Sequence, residues 1–180
     1  MIRHALILAG GQGHRFGGDK LAHRIDGVAM LDRVVAAARS ALLEPLVVGR
    51  LPTPADDWRG IPDAVAGQGP LAGLIAGLER VRAPALVLAG DLPRLTPDLL
   101  RWLIDEDDPS CEVIAAGTDA GPEPLCAIWR PGALPAAASA LAAGERALHR
   151  LIDRLDHRLV PVPAEHLPAL RNVNTRDDLP

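Results

Sequence analysis

The sequence predicts an α/β fold: a mostly parallel sheet with helices on both faces and an antiparallel strand among the later ones. Three observations predict it. Ala5–Ala9 and Ala85–Gly90 are apolar without alternation, as strands buried on both faces are. Residues between such segments repeat their apolar positions at helical spacing. Strands then alternate with helices from the start of the chain, which calls for a parallel sheet joined by right-handed crossovers.

Each element has its own signal. Val28–Leu43 places Met30, Leu31, Val34, Val35, Ala38 and Leu42 on one helical stripe. Leu46–Val48 is a short buried strand, Leu51–Trp58 a loop, and Ile61–Asp63 a brief extended piece. Gly67–Gly73 is a second glycine-rich turn, and a helix from Leu71 to Val81 opens after Pro70. After the strand at Ala85, Thr96 caps a helix that has Pro97 at its first position and runs to Ile104. Glu112–Ala116 and Leu125–Trp129 are strands, with Gly117–Pro124 a loop of turn formers between them. Pro131–Ala143 and Arg146–Leu155 are helices, and Leu159–Val162 is a last strand.

The 180 residues suit one domain with a substantial core. A net charge of −4 gives no broad basic surface, so nucleic-acid binding is not the main task. No apolar run approaches a membrane span, and Met1–His4 leads straight into a strand rather than into a signal peptide. Cys111 and Cys126 lie far apart without metal spacing and fit buried, reduced residues of a cytoplasmic protein.

The chemistry concentrates where the first strand breaks. Gly10, Gly11, Gly13, Gly17 and Gly18 follow Ala9, and glycine lets a backbone approach a ligand with no Cβ in the way. Successive amides can then point into one concavity, which suits phosphates. Arg15 and Lys20 add two cations that a mere turn would not need. Together they indicate a loop that holds a nucleoside triphosphate. The P-loop string G-x-x-x-x-G-K-[ST] is absent. Gly11, Gly13 and Gly17 miss the dinucleotide fingerprint by one residue, and the second strand ends in Arg50 rather than an acid. A basic residue there suits a 2′-phosphate, so NADPH binding stays as a minor alternative.

A third pattern, L-A-G-G-x-x-x-R-x-G-x-D-K, is matched at Leu8, Ala9, Gly10, Gly11, Arg15, Gly17, Asp19 and Lys20. It resembles the signature loop of nucleotidyltransferases that activate small phosphorylated molecules, above all the molybdenum cofactor guanylyltransferases. Further motifs resemble that family in the same order: G-P-L-x-G-L at Gly69–Leu74, D-x-P at Asp91–Pro93, P-L at Pro124–Leu125, G-E-R at Gly144–Arg146 and N-V-N-T at Asn172–Thr175. The resemblance spans essentially the whole chain. It implies a three-layer α/β/α Rossmann-like nucleotidyltransferase fold over residues 1–180. It implies transfer of GMP from GTP to molybdopterin with release of pyrophosphate, and transient contact with cofactor-insertion or molybdoenzyme proteins. Gly10-Gly11 after Ala9 resembles the guanine-specific branch; the cytidine branch tends to carry L-A-A-G.

Several residues are candidates on their own chemistry. Arg15 and Lys20 can neutralise charge that builds on the α-phosphate and the departing pyrophosphate. Asp91 ends a buried strand and can take Mg²⁺, which uses one or two carboxylates and keeps waters; its alternative role as a helix cap is better filled by Thr96. Asp63 by itself reads equally well as surface loop, and Asn172 and Asn174 as turn residues that share one face of an extended segment. The resemblance implies nucleotide contacts for Leu8, Ala9, Gly10, Gly11, Lys20, Asp63 and Asp91, and a turn at Gly69 and Gly73 that passes close to the base. It implies phosphate contacts for Arg15 and phosphate or acceptor contacts for Asn172 and Asn174. It also implies that Gly117–Glu123 helps receive the pterin side. Gly49-Arg50-Leu51 departs from the asparagine-containing segment many members carry, and Arg176 stands where proline is usual. No nucleophile elbow, triad or histidine cluster is found. None is required if the attacking group is an already anionic phosphate. Two alternatives share the nucleotide site: transfer to another phosphorylated acceptor, and a non-catalytic GTP-binding module that delivers cofactor.

Overall fold

The apolar segments assemble as strands of one sheet in a computed structural model that describes residues 1–10, 16, 18–62 and 68–179. The first half comprises β1 (His4–Leu8), β2 (Arg24–Ile25), β3 (Val28–Ala29), α1 (Met30–Ser40), β4 (Glu44–Val48), β5 (Arg59–Ile61), α2 (Gly69–Val81) and β6 (Ala85–Ala89). Then come α3 (Pro97–Asp105), β7 (Val113–Thr118), β8 (Gly121–Trp129), α4 (Leu134–Ala142), α5 (Leu148–Ile152) and β9 (His157–Pro161). Seven strands form the sheet in the order β5-β4-β1-β6-β8-β7-β9. Among the described residues β8 alone runs against the rest, pairing antiparallel with both β6 and β7. The three-layer, mostly parallel architecture is as predicted.

Two apolar layers hold the sheet. Ala5 and Ile7 of β1 face the layer of α1 and α3, through Leu31, Val34, Leu99 and Leu103. Leu6 faces the opposite layer of α2, α4 and α5, through Leu74, Leu78, Ala137 and Leu151. Coverage on both faces explains why Ala5–Leu8 of β1 and all of β6 carry no polar side chain. Helix α2 comes so close to β1 that a Cβ on Gly77 would lie 2.7 Å from a Leu6 methyl. A third, smaller cluster joins Phe16, Ile25, Met30 and Val173, which brings the end of the glycine loop, the β2–β3 hairpin and the C-terminal tail together.

Several element boundaries differ from the sequence reading; α1 ends at Ser40, for example, so Leu42 lies beyond the helix and is exposed rather than on its apolar stripe. Val28 and Ala29 belong to the β2–β3 hairpin rather than to α1. Pro131–Ala133 forms a 3₁₀ turn before α4. The loop expected at Gly117–Pro124 is largely strand. β7 and β8 continue to a tight turn, with Thr118 opposite Gly121 and Ala116 opposite Glu123. The register shifts between Ala115 and Ala116, which pair with Ala127 and Glu123, so residues 124–126 bulge out of the β7 ladder. The indole Nε1 of fully buried Trp129 donates to the Pro124 carbonyl at 3.0 Å and fixes this bulge. Thr96 caps α3 as expected, accepting from the Leu99 amide at 3.3 Å.

Gly60 on the edge strand β5 has no room for a side chain: an added Cβ would stand 2.3 Å from the Arg50 carbonyl oxygen. Because backbone must yield, Gly60→Ala should cost about 1–3 kcal/mol. Thermal unfolding should show it as a Tm lowered by at least about 2 °C. An unchanged Tm would mean that β5 does not sit against the Gly49–Arg50 turn.

Candidate active site

Strand register creates the site. Leu8 of β1 pairs with Ala89 of β6, and the Leu8 carbonyl accepts the Gly90 amide at 3.0 Å. On the other side the Val48 carbonyl at the end of β4 accepts the Ala9 amide at 2.8 Å. Three parallel strands thus end side by side, the place where open α/β sheets bind ligands. A cavity of about 230 Å³ opens there. Leu8, Ala9 and Gly10 line it from β1, Ala89, Gly90 and Asp91 from β6, Gly69, Pro70 and Gly73 from the start of α2, and Lys20, Leu21, Val48 and Leu125 complete it. Gly69 has φ +78°, a left-handed backbone that suits glycine. Its α-carbon faces Arg146 of the G-E-R motif, whose Cβ would lie 3.7 Å from a Cβ at Gly69.

One ion pair crosses the cavity. Lys20 Nζ donates to Asp91 Oδ2 at 2.6 Å, and both side chains are only about one-sixth exposed, at 16% and 17%. Among the described residues Asp91 Oδ1 carries no hydrogen bond. The neighbouring Asp19 is claimed from the opposite side. Arg50 forks onto it, with Nη1 donating to Oδ1 at 2.9 Å and Nη2 to Oδ2. This hydrogen bonding holds the Asp19 carboxyl below its usual range and raises the Arg50 guanidinium. The dipeptide Asp19-Lys20 therefore bridges Arg50, two residues beyond β4, and Asp91, two residues beyond β6, across the end of β1. The Arg50 fork, which sequence left open for a 2′-phosphate, is filled by Asp19. The Asp19–Arg50 tie was not legible in the sequence, since 31 residues separate the partners.

The tail closes the opposite rim. The Val173 amide donates to the Asp91 carbonyl at 3.1 Å, and the Val173 side chain is buried in the Phe16 cluster. Asn172 and Asn174 consequently point outward on one side, and both line an open cleft with Pro93 and Arg94. Asp178 accepts from the Asn174 and Thr175 amides at 2.9 and 2.7 Å, contacts that lower its pKa. Beside the main cavity lies a second one of about 210 Å³, which shares Ala89 and Leu125 with it and adds Glu123, Cys126 and Asn172. Cys126 is buried and its thiol is pushed up to about 12 by burial; Cys111 is only half-buried.

Of the residues singled out by sequence, Leu8, Ala9, Gly10, Lys20, Gly69, Gly73 and Asp91 meet around this cavity. Asn172 and Asn174 line the adjoining spaces rather than the cavity itself. Gly11, Arg15 and Asp63 lie outside the described residues. Among the described residues no group of three or more His, Cys, Asp or Glu side chains could hold a metal by itself. Among the described residues no helix is long and apolar enough to cross a membrane.

Glu145 in the G-E-R turn accepts from the Arg146 and Ala147 amides at 2.8 and 2.9 Å. The Ala147 and Arg146 amides hold its carboxyl down to about 2, against an ordinary 4.5. A depressed carboxylate contributes stability that is complete above the unfolded value and fades as pH falls through the folded one. Urea unfolding of wild type and Glu145→Gln should therefore differ by a constant amount above about pH 5.5 and converge as pH drops from 4.5 towards 2. A difference independent of pH would mean that the charge plays no part in holding this turn.

Comparison with known proteins points one way. Residues 5–159 match the family model described as the MobA-like NTP transferase domain. A probable molybdenum cofactor guanylyltransferase from Chloroflexus aggregans is 34% identical over 99% of this chain and 92% of its own length. One from a Nostoc species is 33% identical, covering 97% of this chain and 87% of the relative. The crystal structure of molybdopterin-guanine dinucleotide biosynthesis protein A from Archaeoglobus fulgidus superposes with a TM-score of 0.85 at 26% identity, covering 98% of this chain and 94% of that one.

Proposed function

The chain belongs to the MobA-like NTP transferase family, and from that premise we propose that it is a Mg²⁺-dependent guanylyltransferase that moves GMP from GTP onto molybdopterin. The observation that carries this reading is the Lys20–Asp91 pair, held at 2.6 Å in a cavity walled by the Leu8-Ala9-Gly10 backbone and the Gly69–Gly73 turn. The relatives' name, molybdenum cofactor guanylyltransferase, supports a guanylyl donor and a molybdenum-cofactor acceptor. The 180 residues act as one nucleotidyltransferase domain, and the cytoplasm is the compartment in which we place it.

In this mechanism the backbone after β1 lies against the nucleotide, because glycine at position 10 leaves no side chain between amide and phosphate. Lys20 neutralises charge on the triphosphate, with Arg15 of the same loop as a second cation. An oxygen of the acceptor's terminal phosphate forms a bond to the α-phosphorus. The α–β bridging P–O bond breaks, and its electron pair leaves with pyrophosphate. The attacking phosphate is already anionic, so positioning and charge stabilisation suffice. Asp91 would hold Mg²⁺: among the described residues one of its carboxylate oxygens accepts no hydrogen bond, and this ion needs only one or two protein carboxylates. When bound, Mg²⁺ supplies positive charge to the phosphate oxygens. Gly11 and Asp63 are assigned to the nucleotide, and Asn172 and Asn174 to the acceptor side near the transferring phosphate. Hand-over of the product implies transient contact with cofactor-insertion or molybdoenzyme proteins.

The test combines binding with turnover. GTP at a hundred times its Kd should stabilise the fold by about 2.7 kcal/mol, a Tm rise of about 5–10 °C that CTP does not give. With Mg²⁺, label from α-labelled GTP should reach molybdopterin with release of pyrophosphate. Lys20→Ala and Asp91→Asn should each lower kcat by about 100-fold or more, and Asp91→Asn should abolish the Mg²⁺-dependent part of the thermal shift. A shift with CTP in place of GTP, or transfer to a different phosphorylated acceptor only, would overturn the assignment.

A further inference from the structure

The second cavity, beside the main one, holds a carboxylate that the transfer chemistry does not use. Glu123 sits on β8 at the edge of the bulge that the Trp129–Pro124 hydrogen bond fixes. A bulge re-aims side chains next to a site. Here it sends Leu125 to the main cavity and leaves Glu123 lining the second, with Leu92, Leu125, Cys126 and Leu170 as its largely apolar walls. An ionised carboxylate offers about four lone-pair sites. Among the described residues Glu123 receives one contact, from the Thr118 hydroxyl at 3.5 Å, and that hydroxyl also donates to the Gly121 carbonyl at 3.2 Å. No cation pairs with it among the described residues, whereas Asp19, Glu145 and Asp178 are each served by several donors. Burial pushes the Glu123 carboxyl above its usual range, as expected for a group whose acceptors lack partners.

A half-buried carboxylate on an apolar cavity wall is complementary to a flat ring that carries adjacent N–H donors. Such a ligand stacks on the walls and gives two parallel hydrogen bonds to the two oxygens. The 2-amino-4-oxo edge of a pterin has that donor pair. Resting on the proposed transfer to molybdopterin, we infer that Glu123 is the acceptor-specificity residue: it reads the amino–imino edge of the pterin ring in the second cavity. The terminal phosphate then reaches into the main cavity past Ala89 and Leu125, which line both. Glu123 touches no reacting atom. Its contribution is to seat the ring.

Binding of free pterin and of lumazine, which replaces the 2-amino group by oxygen, is followed by ligand fluorescence in wild type, Glu123→Gln and Glu123→Asp. Wild type should bind pterin about tenfold more tightly than lumazine, the loss expected when a charged acceptor meets no donor. Glu123→Gln should erase the preference and Glu123→Asp should keep part of it. In turnover, Glu123→Gln should raise KM for molybdopterin about tenfold, with kcat and KM for GTP unchanged. Equal preference in wild type and Glu123→Gln, or no pterin binding to wild type, overturns the assignment. Loss of the GTP-induced Tm rise in wild type would instead strike at the guanylyltransferase reading. A GTP shift that persists while the pterin preference is insensitive to Glu123 removes this inference alone.

Discussion

The pairing of β1 with β6 at the centre of the sheet is the constraint on which the site depends. With Leu8 opposite Ala89 and the Gly90 amide on the Leu8 carbonyl, the segments Ala9-Gly10 and Gly90-Asp91 leave the sheet side by side. A side chain on Gly90 would press on that same carbonyl, 3.2 Å from its Cβ, and on Leu21, 3.3 Å away. The ladder thus fixes where Asp91 starts, and the glycine loop has only to return Lys20 to it. The return is anchored twice. Asp19 is held by Arg50 beyond β4 and Lys20 by Asp91 beyond β6, so adjacent residues are tied to both neighbours of β1.

An ion pair so poorly exposed is weak evidence for stability, since desolvation offsets much of the attraction. Its value lies in preorganisation. In the proposed transfer, charges already fixed by the sheet would not need to reorganise as phosphate charge develops. The Asp19–Arg50 pair is more exposed and adds little energy by itself. Its bidentate geometry fixes the loop's direction, and a Lys at position 50 could not reproduce that fork.

Much of this was legible in the sequence because the deciding signals are local. Unbroken apolarity at Ala5–Ala9 and Ala85–Gly90 marks strands covered twice, Thr96-Pro97 marks a helix start, and an acid directly after a buried strand marks Asp91 as a cavity residue. What escaped depends on partners far away in the chain. Arg50 reads as an open cation until Asp19 is placed beside it. The β7–β8 hairpin hides because Gly117, Gly121, Pro122 and Pro124 look like punctuation, and the bulge breaks the period of two that would betray a strand. Glu123 belongs to that stretch: the resemblance assigns Gly117–Glu123 as a whole to the pterin side, and nothing local in the sequence singles out Glu123 as the residue on a cavity wall. The β2–β3 hairpin is two residues per strand, too short for any periodicity.

The tail completes the argument about how the site is divided. In Asn172-Val173-Asn174 alternation turns Val173 into the cluster with Phe16, Ile25 and Met30 and turns both asparagines outward. The Val173 amide meanwhile holds the Asp91 carbonyl. One buried valine therefore ties the last segment of the chain to the end of β6 and to the end of the glycine loop at once. The groups assigned to phosphate chemistry are thereby fixed by the central strands and this tie. The groups that face the second cavity hang on the β8 bulge and the outward asparagines, at the periphery. Substitution at the periphery can change what is recognised without disturbing the β1–β6 ladder, so one sheet can serve different acceptors while its charge-bearing centre stays in place.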